Sequence, residues 1–179
     1  MLFIHEPSAR YPVGETEVRF RLHGTELPLT TDENSFREHG YVGVATSPKP
    51  VSQEGFSIRE DKPEKLEDGS YIQRWKLIEI DYSIPENRAA AAIRIQKAVG
   101  ESLNLRAQQL GYDGIESAVS YAISKHPEWR LEGCAFRDWR DAVWLHAFPL
   151  LDAIKSGKRP VPMQHDFISS LPELAVVKP

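Results

Sequence analysis

The spacing of apolar positions changes near residue 82, from the alternation of strands to the spacing of helices. Residues 71–80 alternate with a period close to two, which is typical of a half-buried strand. Residues 41–45 and 56–58 are shorter runs rich in β-forming side chains. Residues 18–22 alternate apolar and basic side chains. Each of these four runs is predicted to be a strand.

Turn-forming residues separate the predicted strands. Gly24 follows the first run. Residues 32–39 are polar and predict one or two helical turns, which Asp32 would cap. The pair Asp68-Gly69 suits the turn of a hairpin, and the charged segment 60–69 that contains it is predicted to be a solvated loop.

Apolar residues at spacings of three and four dominate the second half of the chain. Four helices are predicted there, over residues 85–110, 113–123, 134–155 and 165–171. Gly111 is expected to end the first helix. Asp113 opens the second in a pattern that resembles a capping box, and Pro127 excludes its continuation because the residue before proline avoids the helical region.

The last large helix is predicted to supply the centre of the core. Phe136, Trp139 and Val143 form an apolar stripe along it. Trp139 lies in the middle of that stripe, so we expect it to be almost completely buried. Tyr112 and Tyr121 are expected to pack against this seam from the preceding helices.

These patterns predict an α+β fold, with a small strand-rich N-terminal domain over 1–82 and a C-terminal helical hairpin bundle over 83–179. The length of 179 residues suits one domain or two small ones. Charge also differs between the halves, because residues 1–82 hold 15 acidic and 10 basic residues, whereas residues 83–179 hold 11 and 12.

Composition excludes several classes of protein. A hydrophobic fraction of 41% and a charged fraction of 27% are ordinary for a globular chain. No apolar run is long enough to span a bilayer, so no membrane insertion is expected, and the start of the chain does not have the form of a signal peptide. Cys134 is the single cysteine and permits no internal disulfide. A net charge of −4 argues against a nucleic-acid partner.

The sequence offers little catalytic chemistry. Its six histidines lack the spacing of a zinc site, and no nucleophile elbow or phosphate-binding loop occurs. Asp138 and Asp141 lie among tryptophans, which would suit sugar hydrolysis, but solvent-side charges of an amphipathic helix explain them better. His146 is expected in the core or at its rim, and Cys134 is expected to be an inert buried thiol. No catalytic residue, metal site or cofactor is predicted.

Four pieces of the second half form a recognisable pattern, at residues 111–122, 132–144, 157–162 and 171–172. The pattern YDxIxSAxSYA, EGxAFxxWRDAVW, GxRPxP and a closing LP resembles the C-terminal helical module of tailed-bacteriophage tail proteins encoded near tail fibres. The resemblance covers about residues 95–173. It implies a part of the virion or an assembly helper, and it brings no catalytic residues with it.

We therefore expect a virion structural protein, an adaptor or hinge that connects tail fibres to the tail baseplate, and not an enzyme. The alternative is a tail-fibre assembly chaperone that is absent from the mature virion. The expected locations are the virion tail and, during assembly, the host cytoplasm. Expected partners are tail-fibre and baseplate proteins and further copies of the chain in a homo-oligomer.

Apolar residues outside the predicted core stripes indicate where a partner would bind. Ile93 and Leu105 lie off the stripe of the first long helix, while Trp144, Phe148 and Leu151 widen the stripe of the last one. A small bundle cannot bury all of these side chains, and large exposed apolar patches usually mark interfaces. These five residues are the predicted partner interface.

Overall fold

The computed structural model describes residues 1–22 and 33–175 and shows an α+β fold, which confirms the predicted fold class. The chain divides into two compact units, Met1–Glu79 and Ile80–Pro179. We call them the sheet unit and the helical unit. The turn expected at Gly24 and the cap expected at Asp32 lie outside the described residues.

Over residues 1–22 and 33–79, the sheet unit is built on one mixed five-stranded sheet. Its strands are β1 (Leu2–His5), β2 (Arg10–Gly14), β3 (Tyr41–Ala45), β4 (Phe56–Lys65) and β5 (Tyr71–Glu79). They lie in the order β2-β1-β3-β5-β4, with β3 and β5 parallel and the other neighbours antiparallel. Successive side chains of a strand face opposite sides. Phe3 therefore joins one buried apolar cluster and Ile4 another.

The strand predicted over 18–22 is wrong, because this segment lies in helix α1 (Glu15–Arg21). Ion pairs between side chains four residues apart stabilise the helix: Glu15 with Arg19 at 3.0 Å, and Glu17 with Arg21 at 2.9 Å. Five alternating residues are too few to separate a strand from two turns of helix. The short helix predicted over 32–39 is confirmed as α2 (Glu33–Arg37).

The charged segment 60–69 is a loop only in its second half. Strand β4 continues through it to Lys65, and the turn follows, where the Leu66 N–H donates to the Ser70 carbonyl at 2.8 Å. Gly69 adopts a φ of 81°, which favours glycine. β4 is an edge strand of the sheet, where charged side chains and Pro63 are tolerated.

Over residues 80–175, the helical unit contains two long helices and two short ones. They are α3 (Pro85–Gln109), α4 (Ile115–Ser120), α5 (Pro127–Lys155) and α6 (Gln164–Ser169). A 3₁₀ turn at Tyr121–Ile123 follows α4. α5 begins seven residues earlier than predicted, because Pro127 is its first residue rather than only the end of the preceding segment. Proline is favoured there, since its missing N–H would have no partner within the helix.

The apolar stripes of α3 and α5 meet in one core. All five positions of the α3 stripe from Ala92 to Ala107 are buried, whereas Leu110 at its end is 47% exposed. From α5, Phe136, Val143 and Ile154 join this core, and Phe167 of α6 completes it. Trp139 is only half-buried, so the expectation of almost complete burial is wrong. Its indole lies at the edge of a cavity of about 420 Å³ and donates from Nε1 to the Pro172 carbonyl at 2.8 Å.

Candidate partner-binding surface

The residues that carry the phage resemblance contact one another inside the helical unit. The Tyr112 hydroxyl donates to Glu132 Oε2 at 2.5 Å, and its ring lies 5.1 Å from that of Phe136. Burial, together with this hydrogen bond, raises the pKa of Tyr112 to about 12. The predicted packing of Tyr112 on the seam is therefore present. Tyr121 lies edge-on to Tyr112 and to Trp129.

Gly133 of the same pattern lies where α5 passes the 3₁₀ turn. A Cβ at this position would lie 2.2 Å from the Ala122 nitrogen and 2.4 Å from the Tyr121 carbonyl carbon. These neighbours are backbone atoms, which cannot move aside cheaply. The close approach of the two segments therefore requires glycine.

The remaining two pieces of the pattern are also tied to the long helices. Trp139 holds the closing segment through the Pro172 carbonyl. Gly157, at a φ of 75°, packs against the Arg88 guanidinium, whose Nε donates to the Lys155 carbonyl at 3.4 Å. All four pieces thus have contacts that stabilise the module itself.

The residues considered for chemistry have structural or solvent-facing surroundings. His146 is exposed, which corrects the expectation of a core or rim position, because its side of α5 faces away from the packed stripe. Asp138 pairs with Arg137 at 2.8 Å and Asp141 pairs with Arg140 at 3.0 Å, each on the helix surface. The Cys134 thiol is half-buried and lies 3.8 Å from the Ala122 carbonyl.

No metal-binding group of histidine, cysteine and acidic side chains occurs within residues 1–22 and 33–175. Over the same ranges, no helix combines the length and the apolar character needed to cross a bilayer.

One polar network of the described part of the sheet unit joins the two edge strands, and another joins Lys65 and Tyr71 to Glu6. Glu60 of β4 accepts hydrogen bonds from the Tyr11 hydroxyl of β2 and from Gln73 Nε2 of β5, the latter at 2.6 Å. Burial and the Glu60 carboxylate both raise the pKa of Tyr11. Strands β2 and β4 lie at opposite ends of the strand order, so the sheet is curled. These hydrogen bonds connect the two edge strands of the curled sheet. The Glu60 carboxylate accepts both of them, so it has a structural role.

Three of the five predicted interface residues lie together on the surface. Trp144 and Ile93 line one groove of about 480 Å³ between α5 and α3. The Phe148 ring stacks on Trp144, with centroids 5.0 Å apart and planes 23° apart. Ile93 is 65% exposed and Phe148 is 49% exposed. We call the surface formed by Ile93, Gln96, Lys97, Gly100, Trp144 and Phe148 the α3/α5 groove.

The other two predicted interface residues lie elsewhere. Leu151 is 1% exposed and packs inside the core, so its inclusion in a partner interface is wrong. Leu105 is 57% exposed, but twelve residues separate it from Ile93. At 3.6 residues per turn this places the two side chains about 120° apart around α3. Leu105 therefore lies outside the α3/α5 groove.

Gly100, which the sequence reasoning missed, forms part of the groove. A Cβ added to it would meet nothing within 4 Å. Glycine inside a helix costs about 1 kcal/mol relative to alanine, and the packing around Gly100 does not require it. A glycine in the middle of an apolar helical pattern was the available signal.

Further exposed apolar side chains lie near the start of α5. Trp129 is 51% exposed, with the His126 ring 4.6 Å from its own. Ile123 and Leu131 nearby in the sequence are 91% and 62% exposed. In the sequence, Trp129 lies two residues after Pro127, and this was the signal for exposed apolar side chains at the helix start.

No protein-family model, no curated protein and no solved structure matches this chain. A functional assignment therefore stands on the chain's own residues and on the resemblance that they carry.

Proposed function

We propose that this chain is a structural protein of a bacteriophage tail, an adaptor or hinge that connects the tail fibres to the baseplate. The four-piece sequence pattern supports the assignment to tails. The observation that carries the adaptor role is the stack of half-buried Trp144 and exposed Phe148 beside exposed Ile93. Large apolar side chains grouped in contact with solvent usually mark an interface.

The proposed role involves binding without turnover. Glu132 accepts the Tyr112 hydroxyl, and Asp138 and Asp141 pair with neighbouring arginines. Each of these acidic groups is thus explained by packing or solvation. We expect no hydrolysis of a panel of cell-surface polysaccharides by the purified chain. Hydrolysis that Asp141→Asn abolishes would overturn the assignment as a structural protein.

Quantitative mass spectrometry of purified particles tests the adaptor role. An adaptor is present in the virion tail at a constant copy number relative to the baseplate proteins. An assembly chaperone would be abundant in the infected host cytoplasm and absent from the particles, and that result would replace the adaptor assignment with the chaperone one.

A variant pair tests whether the α3/α5 groove serves this role. Trp144→Glu with Phe148→Glu places two charges on the groove and is expected to remove the chain from particles. Leu145→Glu is the matched control, because Leu145 is 77% exposed and lies next to Trp144 but points about 100° away around the helix. Normal incorporation of the double variant would show that the groove does not attach the chain.

A further inference from the structure

The α3/α5 groove contains a protruding side chain and a hole on the same side of α3. Ile93 and Gly100 are seven residues apart, which is nearly two full turns and about 10 Å along the helix. The Ile93 side chain is 65% exposed. At Gly100 the position of a Cβ is open, with no atom within 4 Å. A helix that docks here in the opposite direction can insert its own isoleucine at Gly100.

The centre of this pair lies level with Trp144 of α5. The two long helices run antiparallel, because Arg88 reaches the Lys155 carbonyl at one end and Trp139 lines a cavity with Ser102 further along. Trp144 shares the groove with Ile93 and Gly100. The midpoint of α3 between those two residues is therefore beside the stack of half-buried Trp144 and exposed Phe148.

We propose that the α3/α5 groove packs against the same groove of a second copy of this chain. The two copies are related by a two-fold axis that lies in the contact plane, perpendicular to α3 and level with the midpoint between Gln96 and Lys97. Ile93 of each copy then meets Gly100 of the other, as a two-fold contact requires. Trp144 lies near the axis and faces its counterpart. The inference rests on the proposed function, in that it names the partner of the surface described there.

Two charged residues of α5 are complementary under this same axis, whereas Lys97, which lies at the axis, pairs with Glu101 of its own copy. Arg137 lies seven residues before Trp144 and Asp152 lies eight residues after it, so an antiparallel copy brings Arg137 opposite the second copy's Asp152. Both are exposed, and their pairs are with neighbours on α5: Asp138 at 2.8 Å and Lys155 at 3.7 Å. The contact joins opposite charges twice, once on each side of the axis. Such complementarity favours one register of the two copies.

Sedimentation equilibrium of the full chain over a range of concentrations tests the proposal. We expect a particle of twice 20.3 kDa that dissociates on dilution. Gly100→Leu fills the hole and is expected to weaken dimerisation at least tenfold, while the thermal unfolding midpoint of the dilute protein does not fall. Leu105→Glu is the matched control and leaves the dimer unchanged, because Leu105 is exposed on α3 outside the groove.

A charge exchange tests the register. Arg137→Asp places two acidic groups opposite each other on both sides of the axis and is expected to weaken the dimer about tenfold. Adding Asp152→Arg to the same chain restores opposite charges across the contact and is expected to recover most of the affinity. Loss that the second substitution does not recover would overturn this two-fold arrangement.

The remaining outcomes separate this inference from the proposed function. A chain that stays monomeric at all concentrations, forms a trimer, or dimerises equally well as Gly100→Leu overturns the two-fold contact. If the monomeric chain is still found in particles at constant copy number, the adaptor role stands without it. If the dimer forms as described but the chain is absent from particles, the contact stands and the adaptor role fails.

Discussion

At the scale of single residues, two glycines inside long helices have opposite surroundings. A Cβ at Gly133 would lie 2.2 Å from the Ala122 backbone nitrogen, whereas one at Gly100 would touch nothing. Gly133→Ala is therefore expected to destabilise the helical unit by about 1–3 kcal/mol, as overpacking does. Gly100→Ala is expected to stabilise it by up to about 1 kcal/mol through helix propensity alone.

Urea unfolding of dilute protein, followed by helical circular dichroism, measures both glycine variants against the parent chain. Each variant serves as the control for the other, because the substitution is chemically the same. Equal effects of the two substitutions would contradict the packing described for α5.

The hydroxyl of Tyr112 gives the helical unit a pH dependence in the alkaline range. Burial and the hydrogen bond to Glu132 raise the pKa of Tyr112 from 10.0 to about 12, so the folded state holds the proton more tightly than the unfolded state. The resulting stability is fully present below pH 10 and is lost as the pH rises from 10 towards 12.

Tyr112→Phe isolates this contribution from those of the other tyrosines. The parent chain is expected to be more stable than Tyr112→Phe below pH 10, and the difference in unfolding free energy should shrink between pH 10 and 12. Ultraviolet titration of tyrosinate should show that the variant lacks one late-ionising group. A stability difference that is constant over this pH range would contradict the assignment.

At the scale of elements, the start of α4 shows how a neighbouring helix replaces a local cap. The sequence assigns the capping role to Asp113, but the Ile115 N–H donates to Asn104 Oδ1 of α3 at 3.0 Å. Asn104→Ala is expected to cost about 1 kcal/mol, the usual effect of losing a capping acceptor. Asp113→Ala is expected to change stability by much less. Thermal unfolding of both variants decides between the two residues, since a larger loss for Asp113→Ala would restore the local cap.

Helices with long apolar stripes were predictable, whereas short or boundary segments were not. The α3 stripe from Ala92 to Ala107 extends over about four turns, so its burial follows from spacing alone. Residues 18–22 span about one turn, and there the ion pairs of α1 with Glu15 and Glu17 outweigh the alternation. Pro127 was predicted only to stop a helix, although proline also starts one. At a proline such as Pro127, the sequence is compatible both with the end of one helix and with the start of the next, and the packing of the folded chain decides between them.

At the scale of the whole molecule, the sequence predicts that the candidate surface consists of apolar side chains. It does not predict which of these side chains lie together on the folded chain. Trp144 and Leu151 are seven residues apart on the same helix and equally apolar, yet only Trp144 reaches the surface. Which edge of a wide stripe is covered depends on where neighbouring helices pack. Ile93 and Leu105 give a second example. The apolar pattern places both in one interface, but their side chains point about 120° apart around α3.

The two units have separate cores among the described residues, and this leads to the last prediction. The clusters of the sheet unit contain residues no later than Tyr71, and the core of the helical unit begins at Ala92. A helical unit with its own core has what it needs to fold alone. We expect a fragment of residues 80–179 to show helical circular dichroism and one cooperative thermal transition. Within it, Asn104→Ala should lower the midpoint as it does in the full chain. A fragment without a cooperative transition would mean that residues 1–79 contribute to its folding, and the described core would then be insufficient.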